Sequence, residues 1–378
     1  MITTRPLKLA LAMITGSLLS LGHMTNTFAQ EDNDVAVFNE VYRNYRALSE
    51  QGNWEEALPE AERALELGLA MNGEEHRNTA ALRYNYSINL LQLNRTAEAA
   101  EQFAATLGSY RAVYGNDAEE LFPVYMDAGR AQVLDGDDNG ASGYFRQAMD
   151  IIEGIYGDNS FEYARMSLEC GRILLDEARS PNARRFLLES QDVFNATLGA
   201  DDFNSAYASY YLGKFYVNTD DFRRAEPLLL ASLPVVENNG EDSLPTAVAI
   251  RAMLVAVFEE TSRSEESTPH LLAIARLAAE IGDEDPVAPI YQTAAEYPSR
   301  AARQATEDHS VTVEFDIDAE GFVTNAQVTQ NTGEDAYAQA ALESVERYRY
   351  APGLIDGEPA ARENIEYSVR FPRPPPRR

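Results

Sequence analysis

The 378-residue chain contains one cysteine, Cys170, and one tryptophan. A single cysteine cannot form an internal disulfide, which excludes the small disulfide-stapled folds common among secreted proteins. Cys170 lies in a helical pattern beside Gly171, and we interpret it as a small buried packing residue rather than a nucleophile. For an exported chain, the lack of disulfides favours the bacterial cell envelope.

Positive charge is also scarce. Lysine occurs only at Lys8 and Lys214, and 31 basic residues stand against 61 acidic ones. The formal net charge of −30 disfavours nucleic acid and anionic membranes as partners, since both require basic surfaces. The length exceeds that of one ordinary compact core, so we expect two domains or a repeat array.

The sequence lacks the common motifs of catalysis. It has no serine-nucleophile elbow, phosphate-binding glycine loop or zinc-protease motif, and His76, His270 and His309 have no His or Cys at metal-ligand spacing. Segment 135–140 matches half of a calcium loop, but Arg146 replaces the required acid at its twelfth position, so we interpret it as a turn. We therefore expect no cofactor and no metal, and an enzyme is the least favoured alternative.

The N-terminus has the three parts of a secretory signal. Arg5 and Lys8 precede an apolar run of 14 residues, and Thr27-Phe28-Ala29 is a small-residue cleavage site. The run is shorter than the ~20 residues of a membrane-spanning helix. Residues 1–29 are therefore predicted to be a signal peptide that delivers the protein to the periplasm. The alternative is an uncleaved, single-pass anchor in the inner membrane.

The middle of the chain has a strict 42-residue period. Small residues recur in three registers, and acidic or Asn/Gly clusters separate the units. The clearest register consists of Ala57, Ala99, Ala141, Ala183 and Ala225, and the next step falls on Ser267. Apolar residues at helical spacing fill each unit, which indicates one helical hairpin per period and stacking between neighbours. About six hairpins are predicted over residues 34–282.

The repeat unit resembles the tetratricopeptide repeat. Leu212-Gly213, Tyr216, Phe222 and Ala225 occupy its small and aromatic positions, and the 42-residue period is similar to that of kinesin light chains. The resemblance implies an α solenoid whose first helices line a groove for a peptide. The groove candidates are Tyr84, Asn85, Asn89, Tyr210 and Lys214. The alternative is that these side chains pack between helices.

A different pattern follows a proline-rich linker at residues 283–296. Val311, Val313, Phe315 and Ile317 alternate with polar residues, which predicts a strand with one buried face. The following segments predict a turn at 318–321, a bulged second strand to about Gln330, a helix, and a final strand. A short helix is also expected after Pro298. The buried face of the predicted helix consists of Ala338, Ala341, Leu342, Val345 and Tyr348, and the helix is predicted to end at Pro352. In the final strand, the side chains predicted to face inward are Ile365, Tyr367, Val369 and Phe371.

Residues 297–372 resemble the C-terminal domain of the TonB family, a small α+β domain with an antiparallel three-stranded sheet. The matching features, in order, are Tyr297-Pro298, the alternating first strand, Gly321-Phe322-Val323, the run Tyr348 to Pro352, and Gly357-Glu358-Pro359. The resemblance implies that the module binds an envelope protein, such as an outer-membrane transporter, by adding a strand to its sheet. Residues 373–378 form a Pro/Arg-rich tail.

The final strand is the edge implied for docking. Its residues are Asn364, Ile365, Glu366, Tyr367, Ser368, Val369, Arg370 and Phe371. The sequence thus predicts a periplasmic adaptor in which a helical scaffold presents a TonB-type module. The alternative is a membrane-anchored energy transducer for TonB-dependent transport. We expect a proline at Tyr367 to block the edge by removing an N–H group.

Overall fold

The computed structural model describes residues 28–280, 288–298 and 307–373. The chain divides into two compact units, Met1–Gly199 and Ala200–Arg378. The predicted signal peptide up to Thr27, the helix predicted after Pro298 and the tail beyond Arg373 lie outside the described residues. Among the residues described, no helix combines the length and the apolar character that a membrane span requires.

The described residues of the first unit, 28–199, form four helical hairpins. Each hairpin pairs two consecutive helices, and each also packs against the next hairpin within the unit. The helices are α1 (Phe28–Glu50), α2 (Trp54–Asn72), α3 (Arg77–Gln92), α4 (Thr96–Tyr114), α5 (Leu121–Asp135), α6 (Asp138–Tyr156), α7 (Phe161–Asp176) and α8 (Ala183–Leu198).

The periodic small residues lie where two helices of a hairpin approach each other. The alanines at 57, 99, 141 and 183 are fully buried. A side chain added at Gly129 would lie 2.4 Å from the Phe145 ring, and one at Gly171 would lie 2.7 Å from Leu187. The period therefore reflects a packing requirement, because the helices approach so closely at these registers that only small residues fit.

The half calcium loop is the turn between α5 and α6. Gly136 has positive φ at the end of α5. The Asp137 carboxylate accepts a hydrogen bond of 2.9 Å from the Gly140 N–H and thereby caps α6. The Asp137 carboxylate thus binds a backbone N–H group of its own turn.

The part of the second unit that the structure describes contains two helical hairpins followed by a small α+β module. The hairpins are α9 (Phe203–Asn218) with α10 (Phe222–Glu237), and α11 (Leu244–Glu260) with α12 (Ser264–Glu280). The elements of the module are β1 (His309–Ile317), β2 (Val323–Asn331), α13 (Asp335–Val345), β3 (Gly353–Ile355), β4 (Glu358–Ala360) and β5 (Arg362–Phe371). The predicted architecture is confirmed: helical hairpins precede a small α+β module with an antiparallel three-stranded sheet.

The sheet has the strand order β2-β1-β5. The four alternating apolar residues of β1 are all buried and pack against α13. The β1–β2 pairing shifts register between Thr312 and Val313 and again between Glu314 and Asp316. The predicted bulge is therefore present, and the alternation in the sequence identified the buried face correctly.

The predicted end of the module helix is wrong. Helix α13 ends at Val345, seven residues before Pro352, and Tyr348 lies beyond it. The Arg349 N–H donates to the Tyr291 carbonyl oxygen at 3.0 Å, and the Arg349 carbonyl accepts from the Ile290 N–H at 2.8 Å. These long-range hydrogen bonds pair the backbone of Arg349 in an extended conformation. The helix therefore ends before this residue, and Pro352 is not what ends it.

The β3–β4 hairpin was not predicted. Its loop is Asp356-Gly357, and Ile355 pairs directly with Glu358. Both loop residues have positive φ, at 53° and 81°, as a type I′ turn requires. An Asp-Gly pair is a strong hairpin signal, but strands of only three residues give no alternation to accompany it.

Candidate functional site

The predicted docking segment, residues 364–371, lies on β5 at one end of the sheet. From Ile365 to Phe371 it pairs with β1 in seven consecutive antiparallel pairs without a shift. Within the described ranges, no other strand pairs with the outer side of β5. A regular row of backbone groups along such an edge is what an added strand can use.

The hydrogen bonds of β1 show which β5 residues face outward. The Ser310 N–H donates to Thr332 Oγ1 at 2.9 Å, and the Ser310 carbonyl accepts from the Thr332 N–H at 3.0 Å, so Ser310 faces the β2 side. In an antiparallel strand the direction alternates with each residue. Val311 and Val313 therefore face β5 and bond to their partners Val369 and Tyr367.

It follows that the open side of β5 carries the N–H and C=O groups of Glu366, Ser368 and Arg370. The N–H of Tyr367 faces β1 instead. A proline at Tyr367 would thus break the internal ladder, and the predicted use of this residue as an edge test is wrong. The alternation of side chains revealed the buried face of the strand, but the outward backbone groups depend on register with β1.

The inward side chains of β5 fix it to the module. Phe371 packs against Tyr297 and Tyr337, with ring centroids 5.7 Å and 5.0 Å away. Tyr367 packs edge-on against Tyr348, and its hydroxyl donates to Gln292 Oε1 at 3.1 Å. The aromatic contacts hold the strand in place, while the exposed side chains of its other face leave that surface polar.

Hydrogen bonds to the Asp316 carboxylate determine where the regular β1–β5 pairing begins. Asn364 has a positive φ of 58°, and its N–H donates to Asp316 Oδ1 at 3.0 Å. The other carboxylate oxygen accepts from Asn325 Nδ2 at 2.8 Å. These hydrogen bonds lower the pKa of Asp316, those of Asn325 first and Asn364 second. The regular ladder consequently begins at Ile365, one residue after the predicted docking segment starts.

The opposite edge, β2, is less suited to strand addition. Its pairing with β1 contains two register shifts, whereas the β5 pairing is continuous over seven residues. Bulges increase the local twist and interrupt the row of hydrogen-bonding groups. The backbone geometry therefore favours β5 over β2 as the docking edge.

The groove candidates of the repeats are mostly packed between helices. Tyr84, Asn85, Asn89 and Tyr210 are each at most 7% exposed. The Tyr84 hydroxyl donates a short hydrogen bond to the Asp127 carboxylate. Burial raises the pKa of Asp127 to about 6, although the bond from Tyr84 opposes the shift. The packing alternative thus accounts for these four side chains, while Lys214 is half-buried, with its Nζ 5.6 Å from the Tyr211 ring centroid.

Two segments of the chain match known families. Residues 293–372 match the Gram-negative bacterial TonB protein C-terminal. Residues 41–112 match the tetratricopeptide repeat. Both resemblances read from the sequence are confirmed for these segments.

The chain also has a curated relative. The two are 33% identical over 75 residues, and the relative is Protein TonB of Vibrio cholerae serotype O1. The match spans 20% of this chain and 30% of the length of that relative.

Solved structures of low sequence identity are also similar to this chain. BtubC (BKLC) from P. vanneervenii is 15% identical, with a TM-score of 0.46, and covers 68% of this chain and 98% of its own. A kinesin-light-chain repeat protein from Podosopora anserina is 14% identical, with a TM-score of 0.46, over 54% of this chain and 97% of its own.

Proposed function

We propose that this protein is a periplasmic adaptor whose TonB-type module captures an extended segment of an envelope protein by strand addition at β5. The observation that carries the proposal is the continuous, outward row of backbone groups on β5 in a module that matches the TonB C-terminal family. Main-chain hydrogen bonds supply the affinity in this mode of recognition. The tetratricopeptide-like hairpins form the scaffold that carries the module.

The partner that we propose is an outer-membrane transporter, with the docking residues at 364–371. This follows from the TonB resemblance, in which the module engages such transporters. The high negative charge disfavours nucleic acid or an anionic membrane as the ligand.

We propose a binding role rather than catalysis. Cys170 is completely buried, and burial raises the pKa of its thiol far above the usual value, with Glu169 adding to the shift. A thiol that stays protonated and inaccessible is a poor nucleophile.

The test replaces Ser368, whose side chain is exposed and whose N–H faces the open side. Ser368→Pro removes an outward N–H without removing a bond to β1, so the module should fold. The probes are synthetic peptides from the periplasm-facing segments of outer-membrane transporters of the source organism. We expect at least one peptide to bind the full chain, and binding to the proline variant to be about tenfold weaker, since one edge hydrogen bond is lost and a carbonyl of the peptide is left unpaired.

Ser368→Ala is the matched control, because it keeps the N–H and should bind like the unchanged protein. Hydrogen exchange provides an independent readout: the bound peptide should slow exchange at Glu366, Ser368 and Arg370. Equal affinity of the proline and alanine variants, or protection that appears at β2 instead, would contradict docking at β5.

The proposed location is tested by sequencing the N-terminus of the protein as isolated from the cell envelope. A signal peptide removed after Ala29 predicts a mature chain that begins at Gln30 and is released with the periplasmic fraction. An intact Met1 terminus in the membrane fraction would instead support the anchored energy transducer.

A further inference from the structure

The structure contains a nearly inaccessible arginine where the module meets the last helical hairpin. Arg349 is 1% exposed and is the largest fully buried side chain among the described residues. It belongs to the segment after α13, and its guanidinium reaches α11 and α12, about 85 residues earlier in the chain. A cation this deeply buried requires compensating partners, because burial without them is strongly unfavourable.

All three guanidinium nitrogens of Arg349 have partners. On the hairpin, Nη1 donates a short bond to the Glu259 carboxylate and a 2.8 Å bond to Ser267 Oγ, and Nη2 donates to Thr268 Oγ1 at 3.1 Å. Within the module, Nη2 donates to the Glu320 carbonyl at 3.1 Å and Nε to the Gly321 carbonyl at 3.4 Å. The guanidinium also lies 3.5 Å from the centroid of the Phe322 ring.

The hairpin side of this contact is organised by its own hydrogen bonds. The Glu259 carboxylate accepts from Ser267 Oγ at 2.5 Å and from Ser264 Oγ at 2.6 Å. The Glu259 side chain is 9% exposed and forms an ion pair with Arg349. Burial lowers the pKa of Arg349, and Glu259 opposes that shift. We call Glu259, Ser264, Ser267 and Thr268 the arginine socket.

Two socket residues depart from the 42-residue repeat. Glu259 occupies a register that is apolar in the four preceding repeats, with Leu91, Val133, Leu175 and Val217. Ser267 occupies the register that is alanine in all five preceding repeats. In the last hairpin, a buried acid and a buried hydroxyl therefore replace two packing positions, and both contact Arg349. At these two positions, the sixth repeat departs from the repeat pattern with residues that bind the guanidinium.

An apolar contact lies beside the socket. Ile274 and Ala275 of α12 pack against Ala351 of the module, and Ile290 and Leu354 pack at the border of this cluster. Separation of the hairpin from the module would expose this surface and leave both Glu259 and Arg349 without their ionic partner.

We propose that the last hairpin is a receptor for the guanidinium of Arg349, which makes α11, α12 and the TonB-type module a single cooperative unit. The socket recognises one ligand chemistry, a planar guanidinium approached by a carboxylate and two hydroxyls. None of the socket residues lies on β5, so a partner can occupy the docking edge while the socket stays closed. The edge is thus presented from the hairpin in one fixed orientation. The proposal stands whatever partner β5 captures.

The test is amide hydrogen exchange of the full chain, followed separately for α12 and for β1. Arg349→Met removes the cation and leaves Glu259 buried without a partner. We expect exchange in both α12 and β1 to accelerate about a hundredfold or more, because removal of one member of a buried ion pair is strongly destabilising. Arg347→Met is the matched control: this exposed arginine lies two residues away, and its Nε donates to the Glu343 carbonyl at 2.9 Å. It should change exchange less than about threefold.

A second variant distinguishes loss of the Arg349–Glu259 ion pair from non-specific destabilisation. Adding Glu259→Val to Arg349→Met restores the apolar type of the preceding repeats and removes the unpaired acid. We expect the double variant to recover much of the protection lost in the single one, since a buried ion pair can often be replaced by apolar residues but not halved. For a single variant that fails to fold, Thr268→Val offers a milder removal of one bond, with an expected acceleration of about tenfold.

Three results would overturn the proposal. The first is unchanged exchange in Arg349→Met. The second is acceleration confined to β1 with α12 unaffected, which would mean that the two elements open independently. The third is a double variant whose exchange is no slower than that of Arg349→Met, which would leave no coupling between Arg349 and Glu259.

Discussion

Gly321→Ala is expected to lower the free energy of unfolding of the module by about 3–5 kcal/mol. Gly321 has a φ of +86°, a conformation that strains any residue with a side chain. An added Cβ would also lie 2.2 Å from the Tyr350 carbonyl oxygen. That carbonyl cannot retreat easily, because the Tyr350 N–H donates to the Gly321 carbonyl at 3.0 Å and Tyr350 is fully buried.

Gly357→Ala provides the matched control in the same module. Gly357 has a φ of +81°, but among the described residues no atom beyond its own chain neighbours lies within 4 Å of the position of its missing Cβ. This substitution carries the backbone strain without the clash and should cost about 1 kcal/mol. The difference between the two variants measures the close approach of Gly321 to Tyr350.

Urea unfolding with amide exchange as the local readout makes this comparison. Fluorescence is unsuitable, since the only tryptophan, Trp54, lies in the first unit. Equal destabilisation by the two substitutions would show that the Tyr350 carbonyl yields, and that the turn is less tightly held than the hydrogen bonds indicate.

The sequence predicted the structure best where the spacing of residues reflects side-chain packing. The 42-residue spacing of small residues and the alternation of Val311 to Ile317 each identify a buried face, because both depend on local geometry. The same local signals failed where a distant segment decides the backbone. Helix α13 ends early because the backbone of Arg349 pairs with Tyr291, and nothing in the neighbouring sequence announces that partner.

The candidate docking edge shows the same division. Alternation along residues 365–371 predicted which side chains face inward. The structure agrees, because Val369 and Phe371 are buried and Ile365 and Tyr367 pack, partly buried, against the same core. The outward N–H groups depend on how Ser310 bonds to Thr332 across the other side of β1. The role of Arg349 required both kinds of information. Arg349 stands out in the sequence because it lies between two aromatic residues of the module. Its partners Glu259 and Ser267, however, lie in the last helical hairpin, far away in the sequence.

The departures of Glu259 and Ser267 from the repeat could have been found by aligning the six units. Four apolar residues followed by a glutamate at one register is an unusual change for a buried position. A terminal repeat is expected to differ, because its outer face has no further repeat to pack against. The socket suggests that some of these differences serve the neighbouring module, and a buried charge in the last unit is the signal to look for.

A double-mutant cycle at Gly129 and Phe145 should show how strictly the repeat period is enforced. Phe145 is fully buried, and Phe145→Ala is expected to destabilise its hairpin by about 3–5 kcal/mol. Gly129→Ala places a methyl group 2.4 Å from the Phe145 ring, at a cost of about 1–3 kcal/mol that is reduced by the better helix propensity of alanine. In the double variant the methyl group enters the space left by the ring, so the combined loss should fall short of the sum by about 1–3 kcal/mol.

Gly143→Ala is the control for helix propensity. Gly143 lies inside α6, and nothing lies within 4 Å of the position of an added Cβ. This change should stabilise the hairpin by up to about 1 kcal/mol, because alanine restricts the unfolded chain at no steric cost. Amide exchange in α5 and α6 measures all four variants. If the Gly129 and Phe145 effects simply add, then contact with the ring does not select glycine at this register, and the 42-residue period must arise from another constraint.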